Sequence, residues 1–213
     1  MLHTPPALPP IPQRYIAGLQ QLLQGGQRKI IGLVGPPGAG KSTVAQALHH
    51  AFATVSQVVP MDGFHLANVQ LARLGLAHVK GAPDTFDSTG YVALLKRLRQ
   101  QGPGETIYAP EFRREIEEPI AGAIAVQPQT QLIITEGNYL LLQSDHWAHI
   151  KALLDQVWYV QVDDALRVQR LIARHQQFGR SPEAATEWVE RSDEPNARLI
   201  AACKASADVV FEY

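Results

Sequence analysis

A chain of 213 residues with 46% hydrophobic and 18% charged side chains has the balance of a core-forming globular sequence, which excludes a wholly disordered one. Nineteen basic residues against twenty acidic ones leave a formal net charge of -1, so no global field draws the protein onto nucleic acid or a membrane surface. The one cysteine, Cys203, excludes an internal disulfide and a thiolate metal cluster, and the expected location is cytoplasmic.

In chain order, residues 1–14 are expected to form an extended arm, because five prolines fall within Met1 to Pro12. The arm lacks the basic start and apolar core of a signal peptide. Residues 15–213 are expected to form one domain. Ile16, Leu19, Leu22 and Leu23 recur at helical spacing, and Gly25-Gly26 ends that helix. Ile30, Ile31, Leu33 and Val34 then read as a strand buried on both faces.

The strand runs into Gly35-Pro36-Pro37-Gly38-Ala39-Gly40-Lys41-Ser42-Thr43, and a helix is predicted from Lys41 to Ala53. Glycines that turn backbone N–H groups inward, followed by a helix N-terminus, are what a polyphosphate needs. This P-loop pattern predicts ATP as the nucleotide, with Lys41 reaching its β- and γ-phosphates and the Ser42 hydroxyl on Mg²⁺.

Further apolar runs at Gln57–Met61, Gln131–Thr135, Gln156–Val162 and Ala207–Phe211 read as strands. Helical patterns at Thr89–Gln101, Asp145–Leu154 and Asp164–Phe178 separate them, and Ser181-Pro182 reads as the cap of a further helix. This alternation predicts a P-loop α/β fold, a three-layer α/β/α sandwich around a mainly parallel, five-stranded sheet. Residues 62–88 and 102–130 fit the alternation poorly and read as insertions beside the ligand. Asp62 and Glu136 each follow a predicted strand, so both carboxylates face the edge that carries the phosphate loop. No Asn-Lys-x-Asp segment is present to read guanine, and the histidines show no zinc-like spacing. Trp147, Trp158 and Trp188 read as packing residues.

Asp62-Gly63-Phe64, the stretch from Lys80 to Asp87 (KGAPDTFD) and Ile133-Ile134-Thr135-Glu136-Gly137 follow one another in an order that resembles the phosphoribulokinase, uridine kinase and bacterial pantothenate kinase superfamily. The resemblance covers the chain from about Lys29 onward. It implies an ATP- and Mg-dependent transfer of the γ-phosphoryl group to a hydroxyl of a small metabolite such as a sugar, nucleoside or pantothenate-like compound. It also implies that Asp62 orients or accepts the hydroxyl proton and that Glu136 helps hold Mg²⁺, with the two roles open to exchange.

The same resemblance makes residues 164–181 a lid. Arg167, Arg170 and Arg174 share one face of its helix, and Arg170 and Arg174 are the expected catalytic arginines beside Lys41 and Asp62. His65, Lys80, Asp84, Tyr108, Arg113 and Arg114 are the expected substrate contacts, although Arg113 and Arg114 also suit a surface ion-pair cluster with the nearby glutamates. The segment Tyr108–Arg114 departs from the acceptor segment of pantothenate and uridine kinases, which leaves the acceptor open. Two other readings stand beside this one: a nucleotide-dependent regulatory ATPase or binding module, and a nucleoside monophosphate kinase that uses Arg113 and Arg114 on the acceptor phosphate. A homodimer is left open as the assembly.

Overall fold

The structure is a computed structural model, which describes residues 8–212; the first half of the expected arm, residues 1–7, lies outside the described residues. Five strands, β1 (Lys29–Val34), β2 (Ser56–Val58), β5 (Leu132–Gly137), β6 (Gln156–Val160) and β7 (Val209–Phe211), form one sheet in the order β2-β5-β1-β6-β7. Every pairing in it is parallel. Neighbouring side chains of β1 face opposite ways, so Ile30 joins one apolar cluster while Ile31 and Leu33 join the other. Burial on both faces is why these strands read as unbroken apolar runs.

One face is covered by α1 (Gln13–Leu23) and α2 (Lys41–Ala51), through Leu19, Val44 and Leu48. The other carries α4 (Ser88–Arg99), through Tyr91, Leu95 and Leu98. The Asp87 side chain caps α4 by accepting from the Gly90 N–H at 2.8 Å. These layers are the sandwich that the alternation predicts.

The irregular stretches are more ordered than their composition suggests. Residues 62–88 hold α3 (Asn68–Leu74) between short 3-10 turns, and residues 102–130 hold an antiparallel hairpin of β3 (Ile107–Arg113) and β4 (Glu118–Val126). The strand expected at Gln57–Met61 stops at Val58, because Pro60 has no N–H to continue the ladder; Met61–Phe64 is a 3-10 turn instead. The helix expected at Asp145–Leu154 is two short 3-10 turns, Asp145–His149 and Lys151–Leu153.

After β6, the chain forms α5 (Asp164–Gln177), α6 (Pro182–Trp188) and α7 (Glu194–Ala201). Ser181 caps α6 through its hydroxyl, which accepts from the Ala184 N–H, and Pro182 stands at the first helical position, as predicted. A π turn at Val189–Asp193 joins α6 to α7. Pro195, in the first turn of α7, lacks an N–H, and its ring would strike the carbonyl four residues back; the widened turn relieves that conflict.

Candidate active site

Parallel pairing places Leu33 beside Glu136 and Val34 beside Gly137, so the ends of β1 and β5 open at the same edge. The loop from Gly35 to Gly40 leaves that edge and delivers Lys41 and Ser42 as the first residues of α2. Gly38 adopts φ +81°, and a Cβ there would come within 2.8 Å of the Arg167 carbonyl oxygen, so both backbone shape and contact with α5 require glycine.

A cavity of about 390 Å³ lies over this edge, lined on the loop side by Pro37, Gly38, Lys41 and Ser42. Lys41 is 8% exposed, and its Nζ donates to Asn138 Oδ1 at 2.7 Å and to the Pro36 carbonyl at 3.2 Å. Burial pulls its pKa down to about 8 against the opposing pull of Glu136 and Asp62. Ser42 Oγ donates to Glu136 Oε1 at 2.9 Å. Of the remaining loop residues, Gly35, Pro36, Ala39 and Gly40 shape the turn, whereas the Thr43 side chain is exposed on α2.

Asp62 and Glu136 both face the cavity, and they differ in proton affinity. Burial would raise Asp62, but the electrostatic influence of His65, Arg114, Lys41 and Arg174 around it outweighs burial and holds it below the ordinary aspartate range. Burial and the Asp62 charge push Glu136 upward. Arg114 Nη2 donates to Asp62 Oδ2 at 3.0 Å. His65 Nδ1 lies 2.8 Å from the Asp62 carbonyl oxygen, and its ring packs 3.9 Å from that of Phe86 and 4.7 Å from that of Phe112.

The cavity brings together some of the expected residues and leaves others out. His65, Lys80, Arg114 and Arg174 line it. Asp84, Tyr108, Arg113 and Arg170 do not, and all four are exposed. Tyr108 and its neighbours alternate across β3, so Ile107 and Ala109 point into the core and Tyr108, 61% exposed, points to solvent. Arg113 pairs with Glu111 at 2.8 Å on the outer surface, as the ion-pair reading of that cluster anticipates. On α5, Arg174 lies seven residues from Arg167 and shares its face, while Arg170 is rotated some 60° from Arg167 toward solvent.

Arg167 is itself 2% exposed and works as a strut: Nε donates to Asp164 at 3.0 Å, Nη2 to Glu194 at 2.6 Å and Nη1 to the Pro37 carbonyl at 3.4 Å. It ties the phosphate loop to α5 and α7. Arg174 reaches the cavity itself, where burial and the neighbouring Arg114 depress its pKa.

Several cavity residues lie outside the sequence expectations. Asn138 receives the Lys41 ammonium, and its signal was its place two residues beyond Glu136 at the end of β5. Asp193, set by the π turn, bonds His175 at 2.8 Å, and Arg180 stacks 4.0 Å from the centre of the Trp188 ring. No sequence pattern announces a π turn.

The donor set suits a magnesium-bound polyphosphate. Ser42 and Glu136 offer hard oxygens side by side, and Lys41 and Arg174 offer charge beside the loop. Among the described residues no group of three or more His, Cys, Asp or Glu is arranged to hold a metal ion alone. An ion held here would complete its shell with phosphate and water oxygens, which is the habit of magnesium.

Three comparisons bear on this arrangement. A family model described as "Phosphoribulokinase / Uridine kinase family" matches residues 30–213. A candidate uridine kinase of Schizosaccharomyces pombe, C227.14, is 32% identical over 203 residues, which cover 90% of this chain and 86% of that protein. The crystal structure of a candidate fructose transport system kinase from Silicibacter sp. TM1040 superposes with a TM-score of 0.86 at 36% identity, over 93% of this chain and 98% of the other. The matched stretch holds the whole of the site described above.

Proposed function

The chain belongs to the phosphoribulokinase / uridine kinase family, and from that premise we propose that it transfers the γ-phosphoryl group of Mg-ATP to a hydroxyl of a small metabolite. The observation that carries this reading is the convergence of Lys41, Ser42, Asp62 and Glu136 on one cavity at the loop edge of the sheet. Bound Mg-ATP supplies the electrophilic phosphorus, and the metal draws negative charge from its oxygens.

In this reading the Gly35–Ser42 loop cradles the phosphates, and Lys41 leaves Asn138 and Pro36 to reach them. Ser42 and Glu136 would hold the metal. Asp62 orients the acceptor hydroxyl and takes its proton as the new oxygen–phosphorus bond forms and the bond to ADP breaks. The depressed proton affinity of Asp62 suits a late transfer, because the hydroxyl loses its proton only once phosphorus has been engaged. Arg174 holds charge on the transferring group, and residues 164–181 act as the lid that excludes water. Arg170 has no part in this mechanism. The monophosphate kinase reading loses one of its two arginines, since Arg113 is engaged with Glu111 on the surface.

The expected metabolite partner is small, the expected location cytoplasmic, and nucleic acid and membranes are not expected partners. No helix among the described residues is long and apolar enough to cross a membrane. The test is to incubate the purified chain with Mg-ATP and a panel of sugars, nucleosides, sugar acids and vitamin precursors, and to identify products by mass spectrometry. Asp62→Asn is expected to lower turnover by ~10²-fold or more while nucleotide affinity stays within about threefold. ATP hydrolysis indifferent to every acceptor would favour the regulatory ATPase instead.

A further inference from the structure

Arg114 belongs to the tip of the β3–β4 hairpin, and that tip is fastened. The Asn68 N–H donates to both carboxylate oxygens of Glu118 at 3.0 and 3.1 Å, and its side-chain amide donates to the Glu117 carbonyl at 3.1 Å. Lys80 Nζ donates to Asn68 Oδ1 at 2.6 Å and to the Glu117 carbonyl at 2.5 Å. Glu117 itself is held at φ +52°, a conformation that a side-chain-bearing residue keeps only when its surroundings impose it. The start of α3 and Lys80 therefore clamp the tip and set the guanidinium of Arg114 on Asp62.

That pairing is a curious one for a residue that has to receive a hydroxyl. A guanidinium has five N–H donors, and the described structure gives Arg114 one hydrogen bond, to Asp62. Arg114 lines the cavity, with the Phe112 ring 5.7 Å from its guanidinium carbon. Of the other cations, Lys80 is held in the clamp, Arg180 on Trp188, and Lys41 on Asn138 and the Pro36 carbonyl, while Arg174 is the group assigned above to the transferring phosphoryl. Arg114 is thus the cation bonded directly to the carboxylate that the transfer uses, and it has donors to spare.

The geometry points to an acceptor that carries its own anionic group, a carboxylate or a phosphate monoester, which takes over Arg114 and leaves Asp62 to the hydroxyl. This inference rests on the role proposed for Asp62 above. A neutral polyol offers Arg114 only uncharged hydroxyl oxygens in exchange for the Asp62 carboxylate. An anionic acceptor replaces one charged partner with another, and the planar fork of arginine fits either group with two parallel hydrogen bonds. The transfer is unchanged: the acceptor oxygen bonds to phosphorus, the bond to ADP breaks, and the hydroxyl proton moves to Asp62.

The experiment uses the full chain, Mg-ATP and acceptor pairs that differ in the anionic group: pantothenate with pantothenol and glycerate with glycerol for the carboxylate, ribose 5-phosphate with ribose for the phosphate. The same probes are titrated calorimetrically into the complex with magnesium and a non-hydrolysable ATP analogue. At least one anionic member is expected to exceed its neutral partner by about 10²-fold in kcat/KM, and to bind more tightly in the calorimeter. Arg114→Gln is expected to collapse that ratio toward one, and Arg114→Lys, which keeps the charge without the fork, to retain about a tenth of it.

Neutral members that bind as tightly as their anionic partners, or a ratio indifferent to both substitutions, would overturn the inference. Selective anion binding through Arg114 without any phosphorylated product would leave Arg114 as an anion site and sink the kinase reading instead.

Discussion

The imidazole of His65 is walled in by the rings of Phe86 and Phe112 and leans on the Asp62 carbonyl. Burial lowers its pKa; Asp62 resists that shift, and the cations Lys80 and Arg114 add to it. The folded chain therefore binds this proton more weakly than the unfolded chain, whose histidine titrates near ~6.5. The associated stability is complete above that pH and declines as pH falls below it. In nucleotide-free protein, urea unfolding between pH 7.5 and 5.5 should show a loss on acidification that is smaller in His65→Phe, by at most ~1.4 kcal/mol per pH unit. An identical slope in the two proteins would contradict this account. At this scale the sequence disclosed residues bound to a backbone motif, such as Lys41 and Ser42, since the loop that positions them is local. It could not separate Arg170 from Arg174, because which of two arginines on neighbouring lines of a helix meets a cavity depends on what packs against that helix.

At the scale of elements, the β3–β4 hairpin matters most to the site, and it is the element least visible in the sequence. Pro110 interrupts β3, the register shifts between Ala109 and Glu111, and the charged tip from Arg113 to Glu118 resembles a solvated loop. What holds the hairpin in place is tertiary: a Cβ on Gly63 would lie 2.4 Å from the Pro110 carbonyl oxygen, so the turn that bears Asp62 and the strand touch backbone to backbone. Gly63→Ala should push them apart, at a cost of about 1–3 kcal/mol in unfolding free energy. Turnover should fall by ~10-fold or more, because small displacements at a reacting centre are costly, while nucleotide affinity stays near that of the wild type. Chemical denaturation and steady-state kinetics check the two halves of this expectation separately. The contrast with the sheet is physical. Strands buried on both faces advertise themselves as apolar runs, whereas a hairpin with one face in water and a charged tip over a cavity has no such signature.

For the molecule as a whole, the sheet separates two apolar clusters, and the phosphate loop sits where β1 leaves both. A ligand gripped there draws on the full cooperativity of the fold, so Mg-ADP at a hundred times its Kd should add about 2.7 kcal/mol and raise Tm by about 5–10 °C. Lys41→Met should abolish most of that shift, measurable by scanning calorimetry; an undiminished shift would place the nucleotide elsewhere. The α/β alternation was legible because it is written in periodicity along the chain. The union of loop, α5 and α7 through Arg167 was not, since Glu194 lies 27 residues from its partner and no pattern pairs them. The π turn ahead of Pro195 carries one more implication. A helix of this kind holds a spare residue in storage: a π turn and an ordinary α turn each close about one revolution, so removing one position there would leave the flanking faces nearly in register but would bring back the clash of the Pro195 ring with the carbonyl four residues before it. Chain length at that point is therefore tied to the proline, and a one-residue deletion there should be tolerated only when Pro195 is replaced as well.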